Sequence, residues 1–204
     1  MGGGSHALLR KRWLAAVALL AALPLGLHHA ERIRAQTAPT HIALSPEASF
    51  LSGDSWQIQS ASAGPAATYR LYGVQSCLRG TFVMAGGQRR DCGEISMVYL
   101  AGLARLGQPR CRPVAETASP RQTLVVCRVV LGGQEIDLGQ AMIAAGFAFA
   151  GYAPTGEPVD LAYVAAEEIA RKEKAGLWRY ADLPHPTPIL LGALKPRGVP
   201  PRAN

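Results

Sequence analysis

The sequence predicts an α+β fold, mainly β, in which a five-stranded barrel carries three packed helices. Three observations predict it. About half of the 204 residues are apolar (49%), enough to bury a core. The predicted elements run strand, strand, strand, helix, strand, strand, helix, helix. Leu124 to Val130 is the strongest β run of the chain, rich in β-branched residues.

Arg10, Lys11 and Arg12 precede an apolar run from Trp13 to Leu27, after which His28, His29, Glu31 and Arg32 restore polarity. This is the pattern of a secretory signal. The run falls short of the ~20 residues a bilayer span needs, and Pro24 and Gly26 weaken it further. Residues 1–35 are therefore expected to be a signal peptide, with Ala30 and Ala35 as candidate cleavage residues, or else an uncleaved N-terminal membrane anchor. Either way the domain is placed in the periplasm or outside the cell. Residues 36–45 read as a linker, 46–183 as the domain and 184–204 as a Pro-rich tail, extended and mobile.

Within the domain, the alternation at Trp56 and Ile58, and again at Tyr69 and Leu71, predicts two strands joined through Ser60 to Pro65. From Asp91 to Gly107, Ile95, Val98, Tyr99, Leu100, Leu103 and Leu106 recur at helical spacing, and Gly107 and Pro109 end the pattern. Val114 to Leu131 reads mostly as strand, broken by a turn at Ser119-Pro120, and Gly132-Gly133 makes a tight turn after it. Leu138 to Phe147 is short and apolar enough for a buried helix. Pro158 to Trp178 predicts a longer one, with Leu161, Val164, Ala165, Ile169 and Trp178 inward and Glu167, Glu168, Arg171 and Lys172 outward.

The formal charge of +7 names no partner once it is divided by region. Five bases lie in the first 35 residues, leaving 16 basic and 13 acidic residues beyond them. A balance so near neutrality gives little attraction to a polyanion. Four cysteines, Cys77, Cys92, Cys111 and Cys127, all follow the signal, and an even number in an exported chain predicts two disulfides, with three pairings open. No Cys-x-x-Cys pair occurs, and His41 and His185 lie outside the cysteine-bearing region, so the pattern is not that of a zinc site.

Several strings, in order, point further: Ser52-Gly53-Asp54-Ser55, Tyr69-Arg70-Leu71-Tyr72-Gly73-Val74, Asp91-Cys92-Gly93, Ala144-Ala145-Gly146-Phe147-Ala148, and the run from Glu167 to Trp178. From about residue 46 to 180 the chain resembles the thermonuclease (staphylococcal-nuclease-like) family. The resemblance implies an OB-type barrel and calcium-assisted hydrolysis of phosphodiesters in DNA or RNA. That chemistry needs two carboxylates on the ion, a glutamate at the attacking water and two arginines on the phosphate.

Carried over position by position, the apparatus is largely missing. Asp54 matches the first calcium aspartate and Arg70 the first arginine. The second carboxylate position holds Gln75, the glutamate position holds Leu78, and the second arginine falls on Gln122, with Arg121 one residue away. A one-residue slip in a strand turns a side chain to the opposite face, and only a loop adjustment near Pro120 would bring Arg121 back. Loss of the base alone forfeits roughly 10²- to 10⁴-fold in rate, and loss of a charge-stabilising donor roughly 10²- to 10³-fold.

The expected product is a pseudoenzyme: a binding or scaffolding module at the cell envelope whose partner is an anionic ligand, nucleic acid or envelope component, and which needs no cofactor. The alternative is a divergent calcium-dependent phosphodiesterase in which Asp91 or Glu94 replaces the missing acids and Arg121 reaches the pocket. Asp54 also fits a plain Asx-type turn, and Arg70 a pairing with Asp54 or Glu94. The resemblance places Cys77 and Cys92 at the rim of the pocket, where a bridge would close it, and leaves Cys111 to Cys127 as a staple between consecutive strands. Trp56 and Tyr69 are expected in the core, Tyr72 on the face opposite Arg70, and Tyr152 and Tyr163 near the pocket.

Overall fold

The computed structural model describes residues 41–59 and 64–194. Residues 1–35, read as signal or anchor, and residues 195–204 of the tail lie outside the described residues. The fold is mixed α+β and mainly sheet, a curled half-barrel with helices packed on it.

The first strands are β1 (Ile42–Ala43), β2 (Ser49–Phe50), β3 (Ser55–Ile58) and β4 (Ala67–Leu71), followed by the short β5 (Val74–Gln75). β1 corrects the predicted linker: Ile42 pairs with Cys111, and Leu44 is buried and donates its N–H to the Pro109 carbonyl. A hairpin of β6 (Phe82–Ala85) and β7 (Gln88–Asp91) leads into α1 (Cys92–Gly107), which Asp91 caps by accepting from the Gly93 and Glu94 N–H groups. Long strands β8 (Arg110–Ala118) and β9 (Arg121–Leu131) follow, and then β10 (Gln134–Asp137). Gly132 and Gly133 both take positive φ in the β9–β10 turn, where a side chain would be strained. The main sheet runs β1-β8-β9-β4-β3-β2, with β10 on the other part of β9, and β4 and β9 are parallel.

β9 shows why its run reads so strongly as strand. Val125, Cys127 and Val129 point into the core, while Arg128 and Val130 face outward. Trp56, Leu71, Leu100 and Val125 meet in the main core. The two disulfides are Cys77–Cys92 and Cys111–Cys127, the latter between directly paired residues of β8 and β9. They mark a chain that folds in an oxidising compartment. Among the described residues, no helix is long and apolar enough to cross a membrane.

The helices depart most from expectation: the described residues form four, plus a 3₁₀ turn at Gly176–Arg179, where three were predicted. After α2 (Leu138–Ala144) and β11 (Phe149–Ala150) comes α3 (Leu161–Lys172), rolled relative to its predicted face. Tyr163, Ala166, Glu167 and Ala170 are buried, whereas Leu161 and Ile169 are 75% and 57% exposed. Two contacts select this face over the more apolar one. Gly139 on α2 leaves room for the Tyr163 ring, whose hydroxyl donates to Asp137 at 2.7 Å. Glu167 accepts from the buried Ala150 N–H at 2.6 Å.

Burial, and then the hydrogen bond to Asp137, raise the Tyr163 pKa far above its ordinary value of 10.0. A folded-state pKa raised above the unfolded one gives stability that is present below pH ~10 and declines as pH rises beyond it. The expected result is that Tyr163→Phe flattens the loss of stability in alkali, measured by urea unfolding between neutral pH and about 11.

The tail is also corrected. Pro186–Leu194 forms α4 rather than an extended segment. Pro186 and Pro188 sit in its first turn, where N–H groups have no partner inside the helix, so proline costs little there. The free Thr187 N–H donates to His185 Nδ1 at 3.2 Å.

Candidate functional site

Asp54 sits in the tight turn between β2 and β3. Gly53 lets that turn lie directly on α1, since a Cβ there would come 2.4 Å from Ser96 Cβ. The carboxylate is almost fully buried, and the chain itself takes up its acceptors. Oδ2 meets Arg70 Nη2 at 2.9 Å and accepts from the Ser76 N–H at 3.3 Å. Oδ1 accepts from the Ser52 hydroxyl and from Ser76 Oγ at 3.3 Å. A carboxylate offers about four lone-pair positions, and here four donors claim them.

Arg70, on β4, is the partner that binds the cluster together. Its Nη2 also donates to Gln75 Oε1 at 2.7 Å, and Gln75 Nε2 donates to the Ser76 carbonyl at 3.0 Å. The structure gathers Asp54, Arg70 and Gln75, three positions that the resemblance had singled out, into one closed polar network. Of the two pairings open to Arg70, the one with Asp54 forms.

Beside this network lies a cleft of about 420 Å³, lined by Arg70, Gln75, Gln122, Tyr72 and Tyr152 among others. Gln122 faces it from β9, held by a bond from its N–H to Thr117 Oγ1 at 3.1 Å. Arg121 is exposed, pairs with Ala118 at the strand end and does not line the cleft. The alternation of β9 therefore puts Gln122, not Arg121, at the cleft. Leu78 is half-buried and also lies off the cleft, its carbonyl accepting from Thr81.

The proposed substitutes for the lost acids are committed elsewhere. Asp91 caps α1 and accepts from the Gly80 N–H at 2.8 Å. Glu94 pairs with Arg79 at 3.2 Å. Neither lines the cleft. Calcium does not fit the residues present: Asp54 has no free acceptor, and Gln75 supplies no charge and is held by Arg70.

Tyr72 corrects the prediction that it lies away from Arg70. β4 ends at Leu71, so strand alternation no longer governs Tyr72, and it lines the same cleft. Tyr152 lines it too, its pKa raised by burial and then by Glu167 and Glu168. Tyr163 lies behind Gly73, with its hydroxyl turned to Asp137.

Sequence reasoning missed the contribution of α4. Thr187, Leu190 and Leu191 line the cleft, brought there by His185. Because His185 Nδ1 accepts from Thr187, its proton sits on Nε2, which donates to Glu167 Oε1 at 2.9 Å. The imidazole also packs edge-on against Phe149, with ring centres 4.9 Å apart.

Among the described residues, no group of three His, Cys, Asp or Glu side chains is placed to hold a metal ion. Compared with protein-family models, the chain matches none. No curated protein is similar to it.

Proposed function

We propose that the chain is an exported, divergent member of the thermonuclease-like family, an OB-type five-stranded barrel that has lost hydrolytic chemistry and serves as a binding or scaffolding module at the cell envelope. The observation that carries this reading is the saturation of Asp54 by Arg70, Ser52 and Ser76. A carboxylate so engaged has nothing left to offer a dication, and its arginine partner has already spent its charge. The element order and the curled sheet support the family reading, and the disulfides support export.

The cleft beside Arg70 is the ligand site of this proposal. Among the described residues its only charged lining group is Arg70, which is neutralised by Asp54, and its other polar groups are amides, hydroxyls and tyrosines. Such a wall favours a neutral polar envelope component over nucleic acid or another anionic ligand, since binding a polyanion draws on uncompensated cations.

The test is a hydrolysis assay of oxidised protein on single- and double-stranded DNA and on RNA, with calcium and with chelator. The expected result is no turnover above the chelated blank. Calcium-dependent cleavage that disappears in both Asp54→Ala and Arg70→Ala would establish the divergent phosphodiesterase instead.

A further inference from the structure

We propose that a groove along α1, separate from the Arg70 cleft, binds a single-chain amphiphile with a carboxylate head. The predicted apolar face of α1 divides in the structure. Leu100 and Leu103 enter the core, but Val98 and Leu106 remain 67% and 80% exposed. They border a groove of about 620 Å³ whose other apolar walls are Ile95, Tyr99, Leu103 and Phe147. Tyr99 and Phe147, both lining the groove, stack on each other with ring centroids 4.0 Å apart. Gly102 keeps the middle open, since a Cβ there would meet nothing within 4 Å. From Ile95 to Leu106 the helix advances about 16 Å, enough for an extended alkyl chain. A volume of this size is ordinary for a ligand site.

Polarity is confined to one end. Asp91, Glu94 and Arg90 line the groove near the start of α1. Asp91 accepts from three backbone N–H groups, and Glu94 is paired with Arg79. Arg90 has no carboxylate within 4.0 Å among the described residues, and its one side-chain bond is to Gln88 Oε1 at 2.6 Å. The Tyr99 hydroxyl has no hydrogen-bond partner among the described residues, and burial raises its pKa. An apolar trough ending at a guanidinium that has no carboxylate within 4.0 Å among the described residues is complementary to an alkyl chain ending in a carboxylate. This proposal does not depend on the function proposed for the Arg70 cleft.

The experiment is calorimetric titration of the oxidised full chain with sodium decanoate and, separately, with decyltrimethylammonium, both below micelle formation. Decanoate is expected to bind one to one, and the cation at least about tenfold more weakly. Arg90→Gln is expected to weaken decanoate about tenfold without weakening the cation further. Gly102→Leu, which fills the trough on an exposed helix face, is expected to abolish binding while the thermal midpoint stays unchanged or rises.

Absence of decanoate binding, equal affinity for the two amphiphiles, or decanoate binding that survives Gly102→Leu would each overturn the proposal. So would a dimer in sedimentation that Gly102→Leu dissolves, because the face would then belong to a second copy.

Discussion

Glu167→Ala is expected to lower the unfolding free energy by about 3 kcal/mol and to release α4 from the barrel. Glu167 is 8% exposed, and its carboxylate serves two clients. Oε2 accepts from Ala150 N–H, whose residue is fully buried, so deletion leaves a donor with no replacement and no water, a cost of about 1–3 kcal/mol. Oε1 accepts from His185, and without it the imidazole that caps α4 loses its anchor. The two losses fall on neighbouring elements and need not add.

For a domain of this size, about 3 kcal/mol corresponds to a fall of roughly 6–12 °C in melting temperature. Urea unfolding gives the stability, and hydrogen exchange of the α4 amides gives the release. Glu167→Gln separates the two parts, since the amide oxygen can still accept from Ala150 while its NH2 faces the His185 N–H without an acceptor. It is expected to retain about half of the stability and to free α4 nonetheless. Undiminished protection of α4 in Glu167→Ala would show that the packing of Leu190 and Leu191, rather than the histidine bond, holds the tail.

This residue also marks the limit of what the sequence reveals. Periodicity ranks a helix face by hydropathy, and on that ranking Leu161 and Ile169 face inward and Glu167 outward. The partners that reverse it, Gly139 and the Ala150 N–H, belong to other elements and leave no trace in the local pattern. The tail fails for a related reason: two prolines at the first and third positions of a helix have the same composition as a disordered segment. What the composition does not carry is the contact of His185 with Phe149 and Glu167, which belong to other elements.

Elements set by local chemistry read correctly. Asp91 ahead of an apolar periodic run marked the start of α1, the β-branched run from Leu124 to Val130 marked the strand β9, and Gly132-Gly133 marked the turn. At the cleft, Asp54, Arg70 and Gln75 were singled out by the resemblance and not by spacing, whereas strand periodicity by itself put Arg121 and Gln122 on opposite faces. Tyr72 escaped because alternation was carried one residue past the end of β4.

Asp54→Ala is expected to cost about 3 kcal/mol, and the sign of that effect separates a structural carboxylate from a metal-binding one. In an ion cage, acids held together without their ion repel, so removing one leaves the apo-protein as stable as before or more so. Among the described residues no second acid joins Asp54, and its carboxylate is the hub of the network. Its loss strands the Ser76 N–H in a buried position, and leaves the Ser52 and Ser76 hydroxyls without their acceptor.

Arg70 suffers less than its partner. Its side chain is 35% exposed, so water can take over part of the lost interaction, and the ion pair itself contributes little of the total. Most of the penalty therefore comes from orphaned donors, about 1–3 kcal/mol for each that water cannot reach. A double-mutant cycle with Arg70→Ala measures the pair alone, and a coupling of about 1 kcal/mol, well below the cost of Asp54→Ala, is the expected outcome. Thermal unfolding of the intact protein with and without calcium completes the argument. An Asp54→Ala protein as stable as the parent, together with a parent whose melting temperature rises with calcium, would return this site to the ion-binding chemistry that its saturated carboxylate argues against.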